Sequence, residues 1–202
     1  MRLFLAVFPP KEYLDYFRDT LRRYAKEKRN LKHTPVDQMH LTVKFIGPRV
    51  SLETKDYLVE EFKKREDVFK PIKLHISSVK LGFKMQNIKQ KRILMARLRQ
   101  NDSFNNLVKD THSVIKELKI SDTIYWKQKY SINNHITLSR LKNTATTKNS
   151  KEIIKMTEGF KIPNFKPAVI NEMYFVESII QPDFSPIYRK LERIELKGIE
   201  EV

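Results

Sequence analysis

The chain has 202 residues, and its 40 Lys and Arg against 24 Asp and Glu give a formal net charge of +16 at pH 7. This length fits one domain or two small lobes, and a field of this sign favours phosphate-rich partners. The sequence has no cysteine and only four glycines, which excludes disulfides, thiolate metal sites, cysteine nucleophiles and glycine-rich phosphate loops. An AT-rich genome would also enrich Lys, so charge alone does not establish a nucleic-acid partner.

In the first half, the pattern predicts alternating strands and helices. Residues 3–8 form an apolar strand, ended by Pro9-Pro10, and residues 11–28 have the spacing of an amphipathic helix. A polar loop containing His33 follows. The remaining predicted elements are a strand over 40–46, a helix over 52–65 capped by Ser51, a strand over 71–81 and an exposed basic loop over 83–92.

The second half repeats this order. We predict a strand over 93–98, a helix from Asp102 or Ser103, a strand over 135–140, a helix over 148–157 and closing strands over 169–176 and 187–196. Strand, helix, loop and a strand that begins with His-x-Thr therefore occur twice. This internal repeat, about 1–92 and 93–202, predicts a single domain over 1–202 whose two interleaved lobes share a cleft lined by sheets.

Nothing in the pattern predicts a membrane association. The apolar run near the N-terminus is too short for a signal peptide. No stretch approaches the roughly 18 apolar residues that a membrane span requires. We expect a soluble, cytoplasmic monomer.

The two His-x-Thr triplets occupy residues 40–42 and 135–137. Residues i and i+2 of a strand point to the same face, so each His shares a face with a Thr hydroxyl. Approximate two-fold symmetry between the lobes would place two imidazoles and two hydroxyls around one cleft. A single such triplet is weak evidence, but two at matching places of a repeat indicate a function.

This arrangement suits the opening of a cyclic phosphodiester. One neutral imidazole takes a proton from water and one imidazolium gives a proton to the leaving sugar oxygen, which assigns the catalysis to His40 and His135. The hydroxyls of Thr42 and Thr137 can bind the non-bridging oxygens, and Arg140 can add positive charge. The scheme requires no metal.

The other three histidines have simpler interpretations. His33 is expected to be solvated, His75 to lie on an exposed strand face, and His112 to lie beside the apolar stripe of a helix. A zinc site built from His40 and His135 would lack a further ligand at suitable spacing.

These motifs resemble the two-histidine (2H) phosphoesterase superfamily, and within it the RNA 2′,3′-cyclic phosphodiesterases, also called the 2′-5′ RNA ligase family. The similarity extends over nearly the whole chain: residues 1–7 resemble the first strand, 39–47 and 135–140 the two motifs, and 173–178 and 186–188 the last two strands. The resemblance implies a bilobal α+β fold with antiparallel sheets lining a central cleft and helices outside.

The resemblance also implies an activity and roles for the residues. The substrate is RNA that ends in a 2′,3′-cyclic phosphate, and the product is a 2′-phosphate, formed without a cofactor. His40 corresponds to the proton donor to the departing 3′ oxygen, and His135 to the acceptor from water. Thr42 and Thr137 correspond to phosphate-binding residues. Some family members also join 2′-5′ linkages weakly.

The sequence departs from the family pattern at the substrate end of the cleft. Asn134 stands where the family often has Pro, residues 184–186 replace a glycine-rich turn, and the basic loop over 83–92 lacks the expected prolines.

Other activities therefore stay open. Within the superfamily these are cleavage of 2′-5′-linked oligonucleotides or of a cyclic phosphate on a nucleotide-sugar. A different class of function is non-catalytic binding of single-stranded RNA, with Phe83, Trp126 and Tyr130 as stacking aromatics.

Overall fold

The structure is a computed structural model that describes residues 1–23, 30–84, 91–99, 102–121, 134–142, 144–158, 160, 162, 166–182 and 186–199. The described elements are β1 (Leu3–Val7), α1 (Lys11–Arg23), β2 (Leu31–His33), β3 (Leu41–Gly47), α2 (Leu52–Lys63), β4 (Ile72–Leu74), β5 (Ile76–Lys84), β6 (Lys91–Leu98), α3 (Asp102–Leu118), β7 (His135–Leu141), α4 (Thr147–Glu158), β8 (Ala168–Ile170), β9 (Glu172–Ile180) and β10 (Pro186–Glu195). The fold is α+β, as predicted.

Two four-stranded sheets organise the chain. Sheet A has the order β10-β9-β1-β3 and sheet B the order β2-β7-β6-β5, while β4 and β8 form a separate pair. Neighbouring strands are antiparallel throughout. Sheet A therefore joins strands from the two ends of the chain, and sheet B joins strands from its middle, so that the two halves of the sequence interleave.

A continuous apolar core fixes these elements. β1 is buried along its whole length, and α1 directs a stripe at helical spacing into the core, consisting of Tyr13, Leu14, Phe17 and Leu21. α2 begins where Ser51 caps it, since the Ser51 hydroxyl accepts the N–H of Thr54 at 3.0 Å. The helices thus cover one face of the sheets and leave the other face available for a site.

β3 contains a bulge directly after the Thr of its motif. Ala6 of β1 pairs with Thr42, but the preceding residue, Leu5, pairs with Lys44. Val43 is therefore an extra residue on β3 with no partner on β1. After it, the alternation of faces is shifted by one residue.

β7 contains the corresponding bulge. Met95 of β6 pairs with Thr137, and Leu94 pairs with Ser139, which leaves Leu138 as the extra residue. The bulge falls at the same place in both motifs, immediately after the Thr. The repeat seen in the order of elements therefore extends to the backbone irregularities of the two motif strands.

Some predictions about local structure were wrong. His33 was expected in a solvated loop, but it ends β2 and is half-buried. The single strand expected over 71–81 is divided into β4 and β5 at His75, which is half-buried between them. Trp126 and Tyr130, the predicted stacking aromatics, lie outside the described residues, as does the side chain of Phe83. None of the described helices is both long enough and apolar enough to span a membrane.

Candidate active site

His40 lies immediately before β3 and is held on several sides. Its Nδ1 donates to the carbonyl oxygen of Gln38 at 2.8 Å, which leaves Nε2 as the ring nitrogen that can exchange a proton. Three rings pack around the imidazole, with centroid distances of 5.1 Å to Phe4, 5.9 Å to Phe8 and 4.6 Å to Tyr188. The backbone N–H of Tyr188 donates to the side-chain oxygen of Gln38 at 3.1 Å.

This environment keeps His40 neutral. Burial lowers its pKa to about 4, while the hydrogen bond to the Gln38 carbonyl acts in the opposite direction. The positive charges of His135 and Arg140 lower the pKa further. His135 and Arg140 lie on β7 of sheet B, and β7 contacts β3, which directly follows His40. The two motifs therefore interact electrostatically between the sheets.

On β3, the residues around the first Thr alternate between two environments. Leu41 and Val43 are buried in the main core. Thr42 pairs with Ala6, which belongs to a second, smaller apolar cluster together with Phe4. Thr42 therefore shares the face of sheet A on which the rings around His40 lie.

On β7, the register places the second motif on one face of sheet B. His135 pairs with Arg97, Thr137 pairs with Met95, and Ile136 between them is fully buried. His135 and Thr137 are themselves half-buried. This is the alternation that the His-x-Thr spacing predicts.

Arg140 reaches the same face because of the bulge. Arg140 lies three positions after Thr137, so strict alternation would turn it to the opposite face. The bulge at Leu138 compensates, and Arg140 pairs with Ile93 on the face of Thr137. The Arg140 side chain is exposed, and its charge lowers the pKa of His40.

The structure thus brings the predicted residues together. The two motif strands contact each other, the charges of His135 and Arg140 lower the pKa of His40, and each Thr lies on the same sheet face as its motif His. The sequence interpretation missed the aromatic surroundings of His40. Tyr188 and Phe4 come from strands far apart in the chain, and they contact each other edge to face at 5.4 Å. The available signal was the four-residue spacing of Phe4 and Phe8, which places both on one face of the first strand, whereas nothing in the sequence pattern connects Tyr188 to them.

Two other histidines support the motif strands from behind. His112 of α3 has its Nδ1 3.1 Å from the ammonium of Lys44, and His33 has its Nδ1 2.7 Å from the hydroxyl of Ser139. Lys44 and Ser139 are buried and occupy matching positions, two residues after each motif Thr. The described residues include no cluster of three or more His, Asp or Glu suited to a metal ion.

Two interleaved antiparallel sheets with a His-x-Thr strand in each are the arrangement that the resemblance to the 2H phosphoesterases implies. Solved structures with this fold match the whole chain. TT0787 of Thermus thermophilus has 25% identity and a TM-score of 0.70, with 98% of this chain and 99% of that chain covered. E. coli LigT complexed with 3′-AMP has 18% identity and a TM-score of 0.67, with 98% of each chain covered.

A third structure, of a protein named only as a phosphoesterase, has 18% identity and a TM-score of 0.63, with 98% of this chain and 99% of that chain covered. A scan of protein-family models and a search of curated proteins gave no match. The chain therefore has the LigT fold, which confirms at the level of the fold the resemblance indicated by its sequence.

Proposed function

We propose that this protein hydrolyses 2′,3′-cyclic phosphate ends of RNA to 2′-phosphate ends, with His40 and His135 as its acid and base. The observation that carries the proposal is the convergence of the two motifs: they lie on strands with matching bulges, these two strands contact each other, and the charge of His135 lowers the pKa of His40. The shared fold with LigT and with a named phosphoesterase supports a phosphoesterase-type enzyme.

The reaction is a displacement at phosphorus. The oxygen of a water molecule forms the new bond to phosphorus as His135 takes the proton of that water, and the bond from phosphorus to O3′ breaks on the opposite side. His40 gives its Nε2 proton to O3′, so that the product is a 2′-phosphate with a free 3′-hydroxyl. The hydroxyls of Thr42 and Thr137 donate to the non-bridging oxygens, and Arg140 stabilises the charge that accumulates there.

The protonation of His40 follows from the substrate. In the free protein its pKa of about 4 leaves it neutral at pH 7, so a proton donor must first gain a proton. A bound phosphodiester brings a negative charge that favours the imidazolium and offsets the positive charge of Arg140, so its binding raises the pKa of His40. The donor is thus charged as the substrate binds.

Product analysis tests the proposal. The wild-type protein is mixed with an oligoribonucleotide ending in a 2′,3′-cyclic phosphate, in excess EDTA, beside His40→Ala, His135→Ala and the control His75→Ala, which changes a histidine outside both motifs. We expect conversion to a 2′-phosphate by wild type and control, reduced by about 10²–10⁴-fold in each motif variant. Absence of conversion by wild type, or conversion only after zinc or manganese is added, contradicts the proposal.

The substrate panel includes the rival reactions. A 2′-5′-linked oligonucleotide and a nucleotide-sugar cyclic phosphate present the same kind of reacting phosphate, and an RNA with 2′-phosphate and 3′-hydroxyl groups beside a 5′-hydroxyl strand tests reverse ligation. Tight RNA binding that survives replacement of both His40 and His135, without any hydrolysis, would instead indicate a non-catalytic RNA-binding protein.

A further inference from the structure

The two sheets present different chemistry to the cleft. The face of sheet A around His40 is aromatic: a small apolar cluster that contains Phe4 is surrounded by Phe8, Phe45, Tyr174 and Tyr188. The ammonium of Lys190 lies over two of these rings, 3.8 Å from the centroid of Phe8 and 4.5 Å from that of Tyr174. Most of these rings are half-buried and leave part of their surface open.

The corresponding face of sheet B is cationic. Cross-strand partners share a face, so the pairs formed by β7 extend its face over the whole sheet. Lys32 of β2 pairs with Arg140, and Arg97 of β6 pairs with His135. Met95, the partner of Thr137, pairs in turn with Lys80 of β5. We call Lys32, Lys80, Arg97 and Arg140 the cationic strip.

The strip is exposed, and three of its four cations are not neutralised by a neighbouring carboxylate in the described part of the chain. All four side chains are exposed. Among the described residues, no carboxylate forms an ion pair with Lys80, Arg97 or Arg140. On the aromatic face of sheet A, by contrast, Arg193 of β10 forms an ion pair with Glu195.

The strip is longer than the spacing between phosphates along one nucleic-acid strand, about 3.4 Å in a duplex. It crosses four strands, which at about 4.8 Å per strand spacing gives a length of roughly 14 Å. The proposed reacting phosphate lies beside Thr137 and His135, within the strip. Single-stranded RNA is bound by cations that follow its phosphates and by aromatic rings that stack its bases.

We propose that the cationic strip binds the phosphodiesters on the 5′ side of the reacting end, along Arg97 and Lys80, while the terminal nucleoside faces the aromatic surface of sheet A. This proposal rests on the function proposed above and narrows its substrate to RNA chains, in preference to mononucleotides. A mononucleotide 2′,3′-cyclic phosphate carries the reacting group but has no phosphodiester to place on Arg97 and Lys80.

The kinetic test compares two substrates with the same reacting group, uridine 2′,3′-cyclic phosphate and an oligouridylate ending in that group. In Lys80→Gln/Arg97→Gln we expect the ratio of kcat/KM for the oligonucleotide to that for the mononucleotide to fall tenfold or more at low salt. The control Lys151→Gln/Lys155→Gln removes two exposed cations from α4 and should keep the wild-type ratio. An equal loss on both substrates, or an unchanged ratio, overturns the proposal.

A binding test separates this proposal from the proposed reaction. Affinity for a fluorescent oligouridylate with a 3′-hydroxyl end is measured by anisotropy between about 50 and 200 mM salt, independently of hydrolysis. Each lost phosphate contact reduces the slope of log K against log salt by about 0.7 for a single strand, so the double variant should lose about 1.4. An unchanged slope in the double variant overturns the proposed RNA binding by the cationic strip, even if hydrolysis is observed. A reduced slope, together with no hydrolysis by the wild type, refutes the proposed reaction alone.

Discussion

The ring of Tyr188 stands edge-on to the imidazole of His40, with 4.6 Å between the centroids and 81° between the planes. Gln38 joins the same two residues by hydrogen bonds: its backbone carbonyl oxygen accepts from Nδ1 of His40, and its side-chain oxygen accepts from the backbone N–H of Tyr188. Tyr188 of β10 therefore restricts the orientation of the His40 imidazole, which lies just before β3. Tyr188 is a positioning residue for His40.

Replacing Tyr188 tests this role. Tyr188→Ala should lower kcat about tenfold or more with a smaller effect on KM, because a misdirected Nε2 weakens proton transfer and leaves binding largely intact. It should also raise the pKa of His40, since the ring contributes to its burial. Tyr188→Phe keeps the ring and should retain most activity. An Ala variant that loses activity without any change in the NMR titration of His40 would contradict the positioning role.

Binding of phosphate should charge His40. Because burial holds its pKa at about 4 in the free protein, a nucleoside 2′-monophosphate, the product analogue, should raise that pKa through its negative charge. Calorimetry at pH 7 in buffers of different ionisation enthalpy should show proton uptake by the wild type that is lost in His40→Gln. Equal proton uptake by both proteins would show that a group other than His40 gains the proton.

We expect kcat/KM to depend on the hydroxyl groups of Thr42 and Thr137 more than on the shapes of these side chains. Thr42→Val and Thr137→Val keep the branched volume and remove the donor to a non-bridging oxygen, which should lower kcat/KM by about 10–100-fold, or roughly 1.4–2.7 kcal/mol. Thr42→Ser and Thr137→Ser retain the hydroxyl and should recover most of the rate. Steady-state kinetics on the oligonucleotide give this comparison, and a Val variant as active as its Ser counterpart would contradict the assignment.

The low pKa of His40 also makes the fold sensitive to acid. The unfolded state binds a proton at this histidine near its ordinary pKa of about 6.5, while the folded state does so only near 4. The free energy of unfolding therefore falls as the pH drops from about 6.5 to 4, by roughly 3 kcal/mol from this group. Urea unfolding at pH 7 and pH 4 should show a smaller loss in His40→Gln, and an equal loss in both proteins would contradict the shift.

Strand alternation correctly predicted which residues of β7 share a face, because a two-residue period is the same in the sequence and in the sheet. The location of Arg140 on that face could not be derived in this way, since it depends on the bulge at Leu138. Bulges are decided by the pairing of two strands, and that pairing is a property of the tertiary structure.

Short elements were missed for a related reason. β2 has three residues, Leu31–His33, too few for a period to be visible, and it is a strand because it pairs with β7. The aromatic surroundings of His40 also combine residues that are distant in sequence: Phe4 and Tyr188 become neighbours only because β9 and β10 join β1 in sheet A.

Lys44 is a buried cation on the core side of the first motif strand. Its side chain is 8% exposed, burial lowers its pKa, and its ammonium donates to Nδ1 of His112 at 3.1 Å. Replacing a buried charge by an apolar group of similar volume is often stabilising, so Lys44→Met should raise the free energy of unfolding by about 1 kcal/mol.

The matched control is Ser139→Ala, at the corresponding position of β7. It removes a neutral hydrogen bond to His33 and should lower the free energy of unfolding by about 1 kcal/mol. The pKa of His112, which burial and the charge of Lys44 hold below its ordinary value, should rise in Lys44→Met when followed by NMR. If Lys44→Met is instead less stable than wild type, the ammonium–imidazole hydrogen bond outweighs the cost of burying the charge, and Lys44 is a structural support of the first motif strand.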